Sequence, residues 1–466
     1  MISVGSAAVV AGFVGVLAWV AFRTRAVRQF REFSLAGRRI GLPLVFGSLA
    51  AAYVGPGFSV GFVGKGFQSG FLFLGIGLAY ALQNIVVGML VAPRLRAMEG
   101  CHTLGDAIGQ KYDRRCQLFA GVVSVGICVF LAAVMVYAGS EIVQNTLGLP
   151  RWTSTTLLVG VAALYTTSGG LRASILTNSF QFVLFSILLP VVLLVVFFQI
   201  DGGSATFARE ALAATRAGWE NASAWKIAGL LTAFLLGETL IPPYANRALA
   251  SQSVRVSRGG FILAGLYSVA WFTVMAAIGI AARGRVSPDV IEDHVLLVLV
   301  RDAVPPTGYT LMMLALVSVV MSSLDALLNA GAVAFARDLA PKSKRGADHR
   351  ALRTGRVATI VMAIIAAVVS PMVPSIIEGL LICYTIWASA ILPSLLAGLL
   401  LDRPRPLAGL LSMAVGTLAA LVGVIAIFVK ASFMQTPIII VPALAASMAA
   451  YGVGHALDRS RKVEVA

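Results

Sequence analysis

A chain of 466 residues could hold several soluble domains, but 59% hydrophobic and 12% charged residues exclude that class, where about a quarter are charged. The net charge of +16 would suit nucleic acid in a soluble domain. In so apolar a chain the placement of the charges matters more than their sum. The four cysteines (Cys101, Cys116, Cys128, Cys383) contain no C-x-x-C pair and no disulfide framework.

The composition demands lipid, and the elements in chain order read as an all-α integral membrane protein. Apolar stretches at 2–22, 41–66, 70–92, 118–146, 153–168, 174–199, 226–246, 259–282, 307–336, 354–374, 376–401, 407–429 and 437–457 predict about 13 transmembrane helices. The first has no basic residue before it and six arginines after it, the reverse of a cleavable signal. It is therefore expected to be retained, with its N-terminus outside. The inner joints then hold 27 of the 36 Lys and Arg and the outer joints 8, with Lys65 inside a span. That bias predicts a multi-pass protein of the cell membrane, N-terminus outside and C-terminus cytoplasmic. It also accounts for the basic balance without nucleic acid.

Two stretches carry interruptions. The second holds Gly55-Pro56-Gly57 near its middle, and the seventh holds Pro242-Pro243 in its inner half. Glycine removes side-chain restraint and proline removes a backbone donor. Each interruption lies in the first helix of a five-helix block, 41–199 and 226–401. Paired breaks in corresponding helices point to an inverted-repeat transporter with its site at mid-membrane. The expected organisation is a leading helix and basic inner loop (1–40), a first repeat (41–199), an outer loop (200–225), a second repeat (226–401), then two accessory helices and a short inner tail (402–466).

In the ninth stretch Val319, Ser322 and Ser323 share one helix face. Two hydroxyls beside carbonyls freed at a broken helix make an oxygen cage suited to a hard cation. Serines in helices also commonly bond back to their own previous turn.

At these residues the chain resembles the sodium/solute symporter family, whose core has a leucine-transporter-type arrangement of five plus five inverted helices. The marks are FSLAGRRIG, SLAAAYVGPGFSVGFVGKGFQSG, LYTTSGGLRASILTNSFQ, PPYANRALASQS and VVMSSLDALLNAGAVAFARDL, spread over roughly 33–405. The resemblance implies a sodium site from the carbonyls of Ala51, Val54 and Val319 and the hydroxyls of Ser322 and Ser323. It implies a solute pocket of Tyr53, Gly55, Gly57 and Phe58 faced by Glu238, Thr239 and Ile241, with Pro56, Pro242 and Pro243 at the helix breaks. Where family members often carry T-D-x-x-Q, this chain has Thr177-Asn178-Ser179-Phe180-Gln181. Asp325 lies three residues after Ser322, so Asp325 with Asn178 marks a possible second cation or proton site. Asn246-Arg247 stands where sugar-transporting relatives have Q-R, which disfavours a sugar. The SSLD stretch is somewhat like choline transporters; choline, an amino acid, a monocarboxylate and a vitamin all remain open.

Lys65 is expected towards the outer mouth, attracting an anionic solute, pairing with Glu141 or Glu238, or reaching the headgroups. Glu378 is expected at a helix start. The histidines (His102, His294, His349, His455) show no metal-ligand spacing and no paired-aspartate lipid-phosphate motif occurs, which argues against an enzyme. The expected function is sodium-coupled symport of a small organic solute by alternating access. A proton-coupled carrier using Asp325 and a non-transporting solute sensor are the alternatives. The expected partners are that solute, the sodium ion and the bilayer, with no other cofactor or metal and no assigned oligomeric state.

Overall fold

A computed structural model describes residues 4–24, 27–200, 202–341, 347–429 and 436–463. Arg25, Lys342, Lys344, Arg345 and Lys430, part of the charge bias, lie outside the described residues, as does the end of the chain beyond 463. The helices are α1 (Val4–Thr24), α2 (Phe30–Leu35), α3 (Leu42–Tyr53), α4 (Phe62–Ser69), α5 (Phe71–Val86), α6 (Ala92–Ala97), α7 (Leu104–Lys111), α8 (Arg114–Leu147), α9 (Arg151–Phe198) and α10 (Gly203–Glu220). They continue with α11 (Ala224–Leu236), α12 (Pro242–Ala250), α13 (Val254–Ala282), α14 (Val295–Ala303), α15 (Pro306–Ala334), α16 (Ala347–Val369), α17 (Ile376–Leu400), α18 (Pro406–Phe428) and α19 (Thr436–Val463). Among the described residues there is no strand beyond an isolated bridge between Ile40 and Ser251.

Nine helical segments among the described residues are long and apolar enough to cross a membrane, or ten if the bent pair Leu42–Tyr53 and Gly57–Ser69 is one span. Side-chain caps set several starts: Asp113 accepts from the Cys116 N–H, Ser253 from Val256 and Ser375 from Glu378. Glu378 thus sits in the first turn of α17, as expected. The most enclosed helix is α15, packed on α8 and α9. α3 lies against α9 and α13, while α17, α18 and α19 pack on one another.

The two stretches expected at 153–168 and 174–199 lie on either side of a kink within α9, which runs over 48 residues. At about 1.5 Å per residue a straight helix of that length would more than double a ~30 Å hydrocarbon core. Gly170, at φ 56° and ψ −144°, divides it. A Cβ there would lie 2.6 Å from the Phe33 carbonyl oxygen. Gly170→Ala should therefore destabilise the protein by about 1–3 kcal/mol, read as a lower melting temperature in detergent. An unchanged melting temperature would mean that α9 does not need this bend.

The joint at 200–225 carries α10, whose buried face is Ala211, Ala214 and Gly218. These small residues lie close to one stripe of a helix and let it rest on α4, α5 and α13.

Candidate functional site

Both expected interruptions are breaks in the backbone helix, and side chains from elsewhere satisfy the polar groups they free, as an apolar surround requires. At the first, α3 ends at Tyr53 and a π-helical turn follows at Gly57–Gly61, with a bend of 61°. Ser59 Oγ donates to the Val54 carbonyl (2.7 Å) and Trp271 Nε1 to the Phe58 carbonyl (3.0 Å). At the second, α11 ends at Leu236 and α12 begins at Pro242, with Leu240 in a left-handed conformation, φ 48°. Trp387 Nε1 donates to the Thr239 carbonyl (2.9 Å). The Gln83 amide faces the Thr239 hydroxyl (2.6 Å) with its oxygen and the Phe234 carbonyl (3.0 Å) with its nitrogen. An indole from a neighbouring helix thus caps each break.

The residues expected to hold a cation converge where α3 meets α15. Ser322 Oγ donates to the Val319 carbonyl (2.8 Å) and reaches the Ala51 carbonyl (3.2 Å). Ser323 Oγ is buried without a hydrogen-bond partner, and a Cβ on Gly55 would lie 2.9 Å from it. Four of the five expected ligands therefore share one locus beside the break. The Val54 carbonyl belongs to the same break and accepts from Ser59. Asn178 Nδ2 donates to the Ser322 carbonyl (2.9 Å), while its Oδ1 is buried without a partner.

Asp325 is fully buried one turn beyond Ser322 and faces α9, where Ser174 Oγ and Thr177 Oγ1 each donate to its carboxylate at 3.1 Å. Arg247, also fully buried, donates through Nε to Ser48 Oγ (2.7 Å) and through Nη1 to the Pro243 carbonyl (2.9 Å). It lies in the field of Asp325 without forming an ion pair with it, and its Nη2 is unpartnered. The sequence placed Arg247 among the joint charges. Its burial makes it part of the site instead.

Gly55, Gly57, Phe58, Glu238, Ile241 and Ser323 line a cavity of about 30 Å³ between the two breaks, with Pro243 also on its wall. A Cβ at Gly57 would meet the Leu380 side chain, which would have to shift to admit it. Tyr53 is not on the cavity wall: its ring packs edge-on against Tyr244 at 4.6 Å and Tyr80 at 5.8 Å. Thr239 is spent on Gln83 and Trp387 rather than on the cavity. The Glu238 carboxylate takes the hydroxyls of Tyr384 (2.7 Å), Tyr244 (2.8 Å) and Tyr80. Isolated aromatics in apolar stretches gave no sequence signal for Tyr80 or Tyr384.

One end of the bundle opens into a vestibule of about 740 Å³ lined by Lys65, Phe73, Ile76, Lys226, Arg283 and Leu381 among others. Phe73 packs on Phe234 (5.6 Å) and Phe234 on Phe58 (5.6 Å), so rings separate the vestibule from the cavity. Lys65 pairs with Glu292 (2.6 Å), not with Glu238, which lies under those rings, nor with Glu141, which faces Arg151 (3.8 Å) and His294 (3.6 Å). The opposite end is sealed. Arg38 donates to the carbonyls of Leu249 (3.2 Å) and Arg96 (2.8 Å), Arg96 to that of Ser251 (2.5 Å), and the Gln252 N–H to Ile40 (2.9 Å).

At the vestibule end Asp293 Oδ2 accepts from the Ile376 N–H (3.1 Å) at the start of α17. Burial pushes the Asp293 carboxyl up from 3.8 to about 6, opposed by that N–H; Glu292 raises it, while His294 and Lys65 lower it. A group raised by burial stabilises the folded state fully below the unfolded value and loses that contribution as pH rises through the folded one. Protection of the first turn of α17 against hydrogen exchange, corrected for intrinsic rates, should thus fall from about pH 4 to pH 6 and level off above. Asp293→Asn should flatten that step; a step of equal size in the variant would assign it to another group.

The chain is similar to several curated transporters. It is 25% identical over 415 residues to the high-affinity choline transporter 1 of Caenorhabditis elegans, covering 84% of this chain and 71% of that one. It is 24% identical over 420 residues to the sodium/glucose cotransporter of Vibrio parahaemolyticus (79% and 74%). It is 23% identical over 336 residues to the human sodium/myo-inositol cotransporter, covering 61% of this chain but only 47% of the human one. The chain thus spans about half the length of the myo-inositol cotransporters it matches. Among solved structures, the substrate-bound outward-open state of a Na+-coupled sialic acid symporter superposes with a TM-score of 0.86 at 17% identity, covering 98% of both chains. A nucleobase-cation-symport-1 family transporter in a closed conformation gives 0.63 at 12% identity, covering 91% and 94%. At those identities the likeness is one of fold. The sodium:solute symporter family model matches residues 33–416, and the chain belongs to that family, one of transporters rather than enzymes.

Proposed function

We propose that this protein is a secondary active transporter that uses an inward sodium gradient to accumulate a small organic solute by alternating access. The observation that carries the reading is the cavity at the two helix breaks, with a vestibule at one end of the bundle and a seal at the other. Such a site is reached from one side at a time. The repeats are 41–199 and 226–401 within about 13 spans, and the vestibule faces outward, with the N-terminus outside and the C-terminus cytoplasmic in the cell membrane.

Sodium binds the carbonyls of Ala51, Val54 and Val319 and the hydroxyls of Ser322 and Ser323, joining α3 to α15. Ser323 and Gly55 belong to the solute cavity as well. A cation that fixes them shapes the solute's wall, and by linkage the solute raises sodium affinity by the same factor. Closure of the vestibule and release of the Arg38 and Arg96 contacts then open the inner side. Arg247 supplies a positive charge near Asp325, so Asp325 is not a bare site for a second cation.

The test is uptake into proteoliposomes of choline, proline, pantothenate, a short monocarboxylate and a sugar, each under a sodium gradient and under a proton gradient alone. Sodium-driven accumulation supports symport. Accumulation driven by protons alone would replace sodium with Asp325 as the coupling group, and binding without accumulation would make the protein a sensor.

A further inference from the structure

We propose that the transported solute is a small organic cation, an ammonium compound whose charge is met by Glu238. The inference rests on the reading of the cavity as the solute site, and it starts from an electrostatic imbalance. Glu238 is 5% exposed, and three hydroxyls from three helices converge on it: Tyr80 on α5, Tyr244 on α12 and Tyr384 on α17. An ionised carboxylate only accepts hydrogen bonds, and three phenols donating to it favour that form. Among the described residues no Lys, Arg or His pairs with it. Arg247 is turned away, to Ser48 and the Pro243 carbonyl. A buried charge without a counter-charge is costly at this depth and marks a functional group.

The chemistry of the wall selects the kind of cation. A carboxylate has about four lone-pair positions, and the phenols take three. It cannot supply the six or more oxygens that a hard inorganic ion such as Ca²⁺ takes. It can still meet a weakly hydrated ammonium with one contact. Beside it are Phe58 and Tyr244 on the cavity wall, Tyr80 4.3 Å from Phe58 between ring centroids, and Phe234 at 5.6 Å. Faces of such rings attract organic cations. The rest of the wall includes Ala52, Leu131, Met135, Ile241 and Leu380, and among the described residues no Lys, Arg or His lines it. The vestibule does not oppose a cation: Lys65 and Arg283 are paired with Glu292 and Glu210, and Lys226 and Glu378 contribute one charge of each sign.

The full-length protein in detergent, with sodium present, is tested for binding of choline and tetramethylammonium against 3,3-dimethyl-1-butanol, the uncharged isostere of choline, and against lactate and glucose. The expected result is that the cations bind at least tenfold more tightly than the isostere. Glu238→Gln should weaken cation binding at least tenfold while keeping the sodium-induced rise in melting temperature, which reports an intact fold. Equal binding of choline and its isostere, or tight binding of lactate or glucose instead, overturns the proposal, and this comparison needs no variant. Undiminished cation binding by Glu238→Gln overturns it too. Glu238-dependent binding without sodium-driven accumulation would leave this proposal standing and remove symport. Sodium-driven accumulation of a neutral or anionic solute would do the reverse.

Discussion

Sodium should raise the melting temperature of the detergent-purified protein relative to potassium at equal ionic strength, and Ser322→Ala/Ser323→Ala should abolish that rise. A ligand that binds only the folded state stabilises it in proportion to the logarithm of its concentration over its dissociation constant. Ser322 Oγ sits 2.8 Å from the Val319 carbonyl and 3.2 Å from that of Ala51, so it can turn a lone pair to a cation without moving. Ser323 Oγ is buried and has no hydrogen-bond partner among the described residues, so no protein group compensates its desolvation there. Interactions of neutral groups with a charge contribute about 1.5–3 kcal/mol each. Losing both hydroxyls should therefore weaken sodium binding by about a hundredfold or more. Alanine favours helix more than serine does, so the sodium-free variant should melt no lower than the sodium-free wild type. A sodium shift that survives the double substitution would move the cation to another part of the fold.

That pair of serines was legible because helix periodicity puts them on one face, and the breaks because glycine and proline announce them. What the breaks need in order to exist was not legible. Trp271 and Trp387 look like any other membrane-helix aromatics, yet each supplies the N–H that satisfies a freed carbonyl. Tyr80, Tyr244 and Tyr384 lie on three helices, and only tertiary packing brings their hydroxyls to Glu238. The partner of Lys65 was hidden for a related reason: Glu292 comes from a distant loop whose approach no local pattern encodes. Arg247 misled in a different way. A basic residue just after an apolar stretch fits the charge rule for inner loops, but α12 begins late, at Pro242, and carries Arg247 into the core.

Arg247→Met should be among the most damaging single substitutions in the fold, costing about 3–5 kcal/mol, and Asp325→Asn in the same chain should restore part of that loss. The arginine ties α12 to α3 through Ser48 and is the positive charge in whose field Asp325 lies. Removing it leaves a fully buried carboxylate with neutral hydroxyls, Ser174 and Thr177 among them, donating to it. Neutralising Asp325 removes that isolated charge, and asparagine can still accept from one hydroxyl with its oxygen while its amide nitrogen faces the other. The double variant should accordingly be more stable than Arg247→Met alone, with a coupling energy of about 1–3 kcal/mol. A double-mutant cycle on melting in detergent measures it. Additive single effects would mean that the two groups are electrically independent, and Asp325 would then be open to a proton or a second cation. A positive coupling makes the arginine a resident counter-charge, which explains how the chain keeps an aspartate beside the sodium ligands while Asn178 stands where relatives often have an acid. The two measurements therefore bear on one another. A sodium shift that needs the serines, together with a coupled Arg247 and Asp325, describes a carrier with one exchangeable cation and one built into its fold.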